Sequence, residues 1–137
     1  MILEFFDGLN WLAIAVATVA WFVFSAIWYS VPPISKAWQA AARVPPQEGP
    51  PLPSLMVSTV ILYFITTVVI ALLVAATGAD DVTDGIALGA SLGVGFGLAT
   101  ALVGQLYEQK GASYWLINGF NVLFAWSIVA VILALWD

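Results

Sequence analysis

Residues 54–77 read SLMVSTVILYFITTVVIALLVAAT, a run without a single charge. A helix rises about 1.5 Å per residue, so this run exceeds the roughly 20 residues needed to cross the hydrocarbon core of a bilayer. In lipid only a helix satisfies every backbone group within one segment, and the run is too long for a buried strand. It therefore predicts a membrane-crossing helix. Three further runs fit the same template, 8–30, 85–107 and 112–136, none with a charged residue in its interior. The expected fold is all-α: an integral membrane four-helix bundle forming a single four-span domain over residues 1–137.

Composition agrees. The chain is 63% hydrophobic and 8% charged, whereas soluble domains average roughly 45–50% apolar and about 25% charged. Its net charge of −5 provides no basic patch to displace phosphate counterions, which disfavours nucleic acid as a partner. With no Cys and no His, disulfides, thiol nucleophiles, Cys-ligated metals and the usual haem and zinc ligands are excluded. The N-terminal run is flanked by Glu4 and Asp7 where a cleavable signal would be basic, so it reads as a retained span.

The cations give an orientation. Lys36 and Arg43 lie between the first and second runs, and Lys110 lies between the third and fourth. The opposite side carries Glu4, Asp7, Asp80, Asp81, Asp84 and Asp137 and no Lys or Arg. The bias of cations toward the cytoplasm predicts an inner (plasma) membrane protein with both termini on the outer, periplasmic side. Trp11 and Trp136 then fall at the outer interface; Trp28, Tyr29, Tyr107, Tyr114 and Trp115 fall at the inner one. Trp21 and Trp126 are near mid-span, either as packed or lipid-facing bulk or as the walls of a lipid or quinone site.

The loop after the first run divides in two. Ile34, Ala37, Trp38 and Ala41 recur at helical spacing opposite Lys36, Gln39 and Arg43, which predicts a short amphipathic interfacial helix over 35–44, capped by Ser35. Residues 45–53 are rich in proline and predict a semi-rigid linker that lets the first two spans stand apart. Gly78–Asp84 is short, so the second and third spans are expected to be neighbours. Its three aspartates lack the full EF-hand ligand pattern, and Asp84 reads as a helix cap.

Within the third run, Gly85, Gly89, Gly93 and Gly97 stand at four-residue intervals, continued by Ala101. Each helical glycine costs about 1 kcal/mol relative to alanine, and in lipid a small-residue face is the surface along which helices approach. The ladder predicts a helix-packing interface, within the chain or between chains, with Gly95 and Gly104 widening it. Ala13, Ala17 and Ala20 of the first run offer a possible mate. Asn118, Asn121 and Gln105 are the candidate intramembrane polar contacts, as structural hydrogen bonds or as the lining of a path for a small solute. No catalytic set, buried charge or phosphate-binding loop is present, so no enzyme activity, cofactor or metal is expected.

Several segments resemble one family. Asn10 and Trp11 open the first run; Trp28, Tyr29 and Ser30 close it; Lys36 and Trp38 follow at a fixed distance; and Leu116-Ile117-Asn118 begins the fourth. Together these are similar to a bacterial four-span membrane family, "domain of unknown function 1761". Val31, Ile34 and Ser35 depart from its pattern, as do Gly119, Phe120 and Asn121. The resemblance implies the four-span fold and no particular activity. The functional expectation is a non-enzymatic protein acting through helix packing, as a homo-oligomer or a small accessory subunit, with membrane lipids and other subunits as partners. An oligomeric small-solute transporter or channel is the alternative.

Overall fold

The computed structural model describes residues 1–43 and 51–136. Most of the proline-rich linker, the last residue of the expected surface helix and Asp137 lie outside the described residues. Four long apolar helices run Trp11–Ser30, Pro53–Thr77, Val82–Glu108 and Ala112–Leu135, here the first to fourth spans. The chain is a multi-pass membrane protein built as a helical bundle. Their ends follow local chemistry. The Asn10 side chain accepts from the Ala13 amide at 3.0 Å and caps the first span. Pro53 sits in the first turn of the second, where a missing N–H costs nothing. Gly78 ends that span in the left-handed region at φ 71°, a conformation open to glycine at no steric cost.

Two caps differ from expectation. Asp81, not Asp84, caps the third span, its carboxylate accepting from the Asp84 amide at 2.7 Å. The extended backbone at Asp81 is what aims its side chain at the exposed N–H three residues on. The short helix runs Pro32–Ala42, with Val31 at the cap position and proline in its first turn. Ser35 lies inside it and bonds back to the Pro32 carbonyl.

The fourth span is the hub, touching the other three spans and the short helix. The core joins Ala13, Ile14, Ala17 and Trp21 of the first span, Ile70, Ala71 and Val74 of the second, and Ala125, Val129, Ala130, Leu133 and Ala134 of the fourth. The expected pairing of the second and third spans does not occur along their length: they barely touch, and the third packs on the fourth. A short turn requires only that two helix ends be near, and the glycine face draws the third span away. The first and second spans do pack together.

Candidate functional site

Two features bring the sequence-predicted residues together: the glycine face, and a cluster of hydrogen bonds at the end of the bundle that carries the cations.

The partner of the glycine face is the fourth span. A Cβ on Gly85 would stand 2.7 Å from Val131 Cα; on Gly89, 2.5 Å from Ser127 Cα and 2.6 Å from the Trp126 carbonyl oxygen. On Gly93 it would meet Leu123 Cα at 2.7 Å, and on Gly97 the Val122 side chain at 2.7 Å. The four glycines thus form one continuous backbone-to-helix contact within the chain. Ala13 and Ala17 are not the mate; they are buried in the core instead. Ala101 is half-buried. Gly95 and Gly104 do not widen the contact, since among the described residues nothing lies within 4 Å of a Cβ at either.

The ladder crosses a π-helical turn, Gly93–Leu98. Four residues of α-helix overshoot a 3.6-residue turn by about 40°, so a strict four-residue ladder drifts around the helix. A wider i→i+5 turn takes back some of that drift. This accounts for Gly97 still meeting the fourth span.

At the cation-bearing end, Asn118 is the centre. Its Oδ1 accepts from the Tyr29 hydroxyl at 2.6 Å and from Trp38 Nε1 at 2.9 Å, joining the first span, the short helix and the fourth span on one oxygen. Trp28 Nε1 donates to the Ile117 carbonyl at 3.2 Å beside it. Trp38 stacks on Tyr114 (6.2 Å, 27°) and meets Tyr29 edge-on (6.0 Å, 73°). One turn deeper, Asn121 pairs with the buried Ser25 hydroxyl at 3.3–3.4 Å. The motif residues Tyr29 and Trp38 therefore converge on Asn118, far away in sequence, with Trp28 on the Ile117 carbonyl beside it.

The turn between the third and fourth spans clamps the other end of the short helix. Lys110 Nζ donates to the Ala42 carbonyl at 2.7 Å, and the Gly111 amide donates to Ala41 at 3.3 Å. Lys110 thus satisfies a terminal carbonyl of the short helix, where a cation also meets the negative end of the dipole. The Gln105 side chain donates to the Lys110 carbonyl, so it braces the turn and does not join the asparagines. The short helix puts Ala37, Trp38 and Ala41 against the protein, with Lys36 exposed. Asn10 is a cap, Ser30 bonds back to Ala26, and Trp11 is exposed.

The mid-span indoles pack on protein. Trp21 is 4% exposed, stacked on Tyr63 (3.9 Å, 6°), and Trp126 meets it edge-on (6.3 Å, 85°). Both buried indole N–H groups lack a hydrogen-bond partner among the described residues. The carboxylates of Asp80, Asp81 and Asp84 lie within 4.8 Å of one another and are exposed, with Asp81 engaged as a cap.

Chemically, these groups can hold helices in register. At the cation-bearing end amide, indole and hydroxyl groups bond to one another, and Lys110 is engaged by a backbone carbonyl. A family model described as "Protein of unknown function (DUF1761)" matches residues 12–134. Neither a curated protein nor a solved structure matches the chain.

Proposed function

The chain belongs to the DUF1761 family, and from that premise and the packing of its third span we propose that it is a non-enzymatic membrane subunit acting through helix contact, joined to copies of itself or to a larger complex. The observation that carries this reading is the outward face of the third span. Ala87, Ser91, Gly95 and Ala99 stand at four-residue steps and are all exposed. Among the described residues, no atom lies within 4 Å of a Cβ at Gly95. A glycine inside a helix costs about 1 kcal/mol relative to alanine, and this one receives no packing from the described residues in return. A helix from outside the chain, approaching closely along small residues, supplies the return. The same reading puts the cation-bearing end in the cytoplasm and both termini outside a bacterial inner membrane, following the bias of Lys and Arg.

Gly95→Ile tests the proposal, because its side chain enters open space and leaves the fold alone. In mild detergent, wild-type protein from native membranes should run above monomer size or with a partner, and Gly95→Ile should run as a monomer with unchanged helix content. Wild-type protein running as a lone monomer would overturn the reading.

A further inference from the structure

A cavity of about 310 Å³ opens at the acidic end of the bundle, where the first, second and fourth spans meet. Its lining is of two kinds. Ala13, Ala71 and Ala134, all buried, give it an apolar floor. Asp80 and Trp136, both exposed, stand at its rim. Small-molecule sites span about 300–1,000 Å³, so a cavity at the lower end of that range suits a compact ligand.

The charge and the helix dipoles around it are of one sign. No Lys or Arg lies at this end of the chain. The one ion pair among the described residues joins the Met1 amine to Glu4, which leaves Asp80 without a cation there. The second and fourth spans both end at this side, at Thr77 and Leu135. The last four carbonyls of a helix lack partners within it and carry the negative end of its dipole. Ala75 of the second span, and Leu133 and Ala134 of the fourth, belong to those last turns and line the cavity. A cleft of one sign between apolar walls concentrates its field on an ion of the opposite sign.

The kind of cation follows from the walls. A calcium ion takes about six to eight oxygen ligands. Of the three neighbouring aspartates only Asp80 lines the cavity, and Asp81 is engaged as a helix cap. Alanine methyls offer a metal ion nothing in place of its water. They do suit the carbon groups of an organic cation, whose charge a tryptophan ring also attracts. We propose that this cavity binds the ammonium group of a small organic cation. Asp80 supplies the counter-charge, Trp136 the aromatic contact and the three alanines the surface for its carbon groups. Free amines carry such a group, and so does the headgroup of a zwitterionic phospholipid.

Solution NMR of the full chain in maltoside micelles, with the alanine methyls labelled, tests this. Choline should give saturable shifts at Ala13, Ala71 and Ala134. Its neutral counterpart, 3,3-dimethylbutanol, should give none. Asp80→Asn should weaken choline binding roughly two- to fivefold, the effect of an exposed ion pair, and Trp136→Leu by about the same factor. Ala75→Phe places a ring in the cavity from an exposed position and should abolish the shifts with helix content unchanged. Equal shifts with the neutral compound would overturn the site, as would binding indifferent to both Asp80→Asn and Ala75→Phe. Displacement of choline by an equal concentration of calcium would make it a metal site instead. Nanodiscs separate the two sources of the ammonium group. Choline binding that is weaker in phosphatidylethanolamine than in a neutral glycolipid identifies a lipid headgroup, and equal binding identifies a free amine. None of these outcomes depends on the oligomeric state.

Discussion

At Gly89 the position of a first side-chain carbon is already taken by the backbone of the fourth span, while six residues later, at Gly95, it is empty. The two glycines are chemically identical in the sequence and opposite in consequence. Gly89→Ala forces Ser127 and Trp126 backbone atoms to move, and overpacking of this kind typically costs about 1–3 kcal/mol. In the monomer, Gly95→Ala meets nothing among the described residues and gains helix propensity, a stabilisation of up to about 1 kcal/mol. Equilibrium unfolding of the two variants as dissociated monomers in detergent should therefore give shifts of opposite sign; equal shifts would contradict the packing described. Asn118 teaches the complementary lesson. The amide was visible in the sequence as an isolated polar group in an apolar run, and its neighbours Tyr29 and Trp38 were visible as parts of a motif. That Tyr29 and Trp38 meet on the Asn118 oxygen could not be read, because a separation of 89 and 80 positions from it carries no geometric information.

Among the elements, the short helix after the first span is held at its middle and at its C-terminal end by side chains of other elements. Trp38 anchors it to Asn118 and Lys110 closes on its last carbonyl. Its pattern sets Ile34, Ala37, Trp38 and Ala41 inward, and all four are half-buried. Gln39 from the opposite face is half-buried too, and Ala42 is the buried residue. The surface they meet is that of the fourth and first spans. Replacing Asn118 with Leu strands a Tyr hydroxyl and a Trp N–H, at a cost on the order of 1–3 kcal/mol. Faster amide exchange should then appear over residues 32–42 while the interiors of the spans keep their protection. Unchanged exchange there would mean the aromatic contacts alone hold the helix. The glycine ladder was equally legible as a contact surface, but its partner was not. In lipid every apolar helix face is alike in hydrophobicity, so the choice of the fourth span over the first rests on shape, in the groove between Val122 and Val131.

For the whole molecule, the number and placement of the spans followed directly from length and charge, because the bilayer imposes a single thickness on every crossing. Their neighbour relations did not follow, since chain connectivity constrains helix ends and leaves their sides free. The separation of charge along the bundle axis supports an orientation that can be checked without disturbing native chemistry, because the chain has no cysteine. Asp80→Cys should react with an impermeant maleimide in intact cells, and Lys36→Cys only after the membrane is opened. The reverse pattern would invert the bundle.

The dependence of the third span on the fourth has a temporal side. Ribosomes deliver the spans in order, and the first two can meet as soon as both have entered the bilayer. The third then waits with its glycine surface uncovered until the segment beginning at Ala112 follows. During that interval it is an orphan helix, open to insertion factors or to membrane proteases that scan for unassembled segments. Assembly of this protein is consequently a matter of timing as well as of fit, with its most exposed moment falling just before its most connected helix is made.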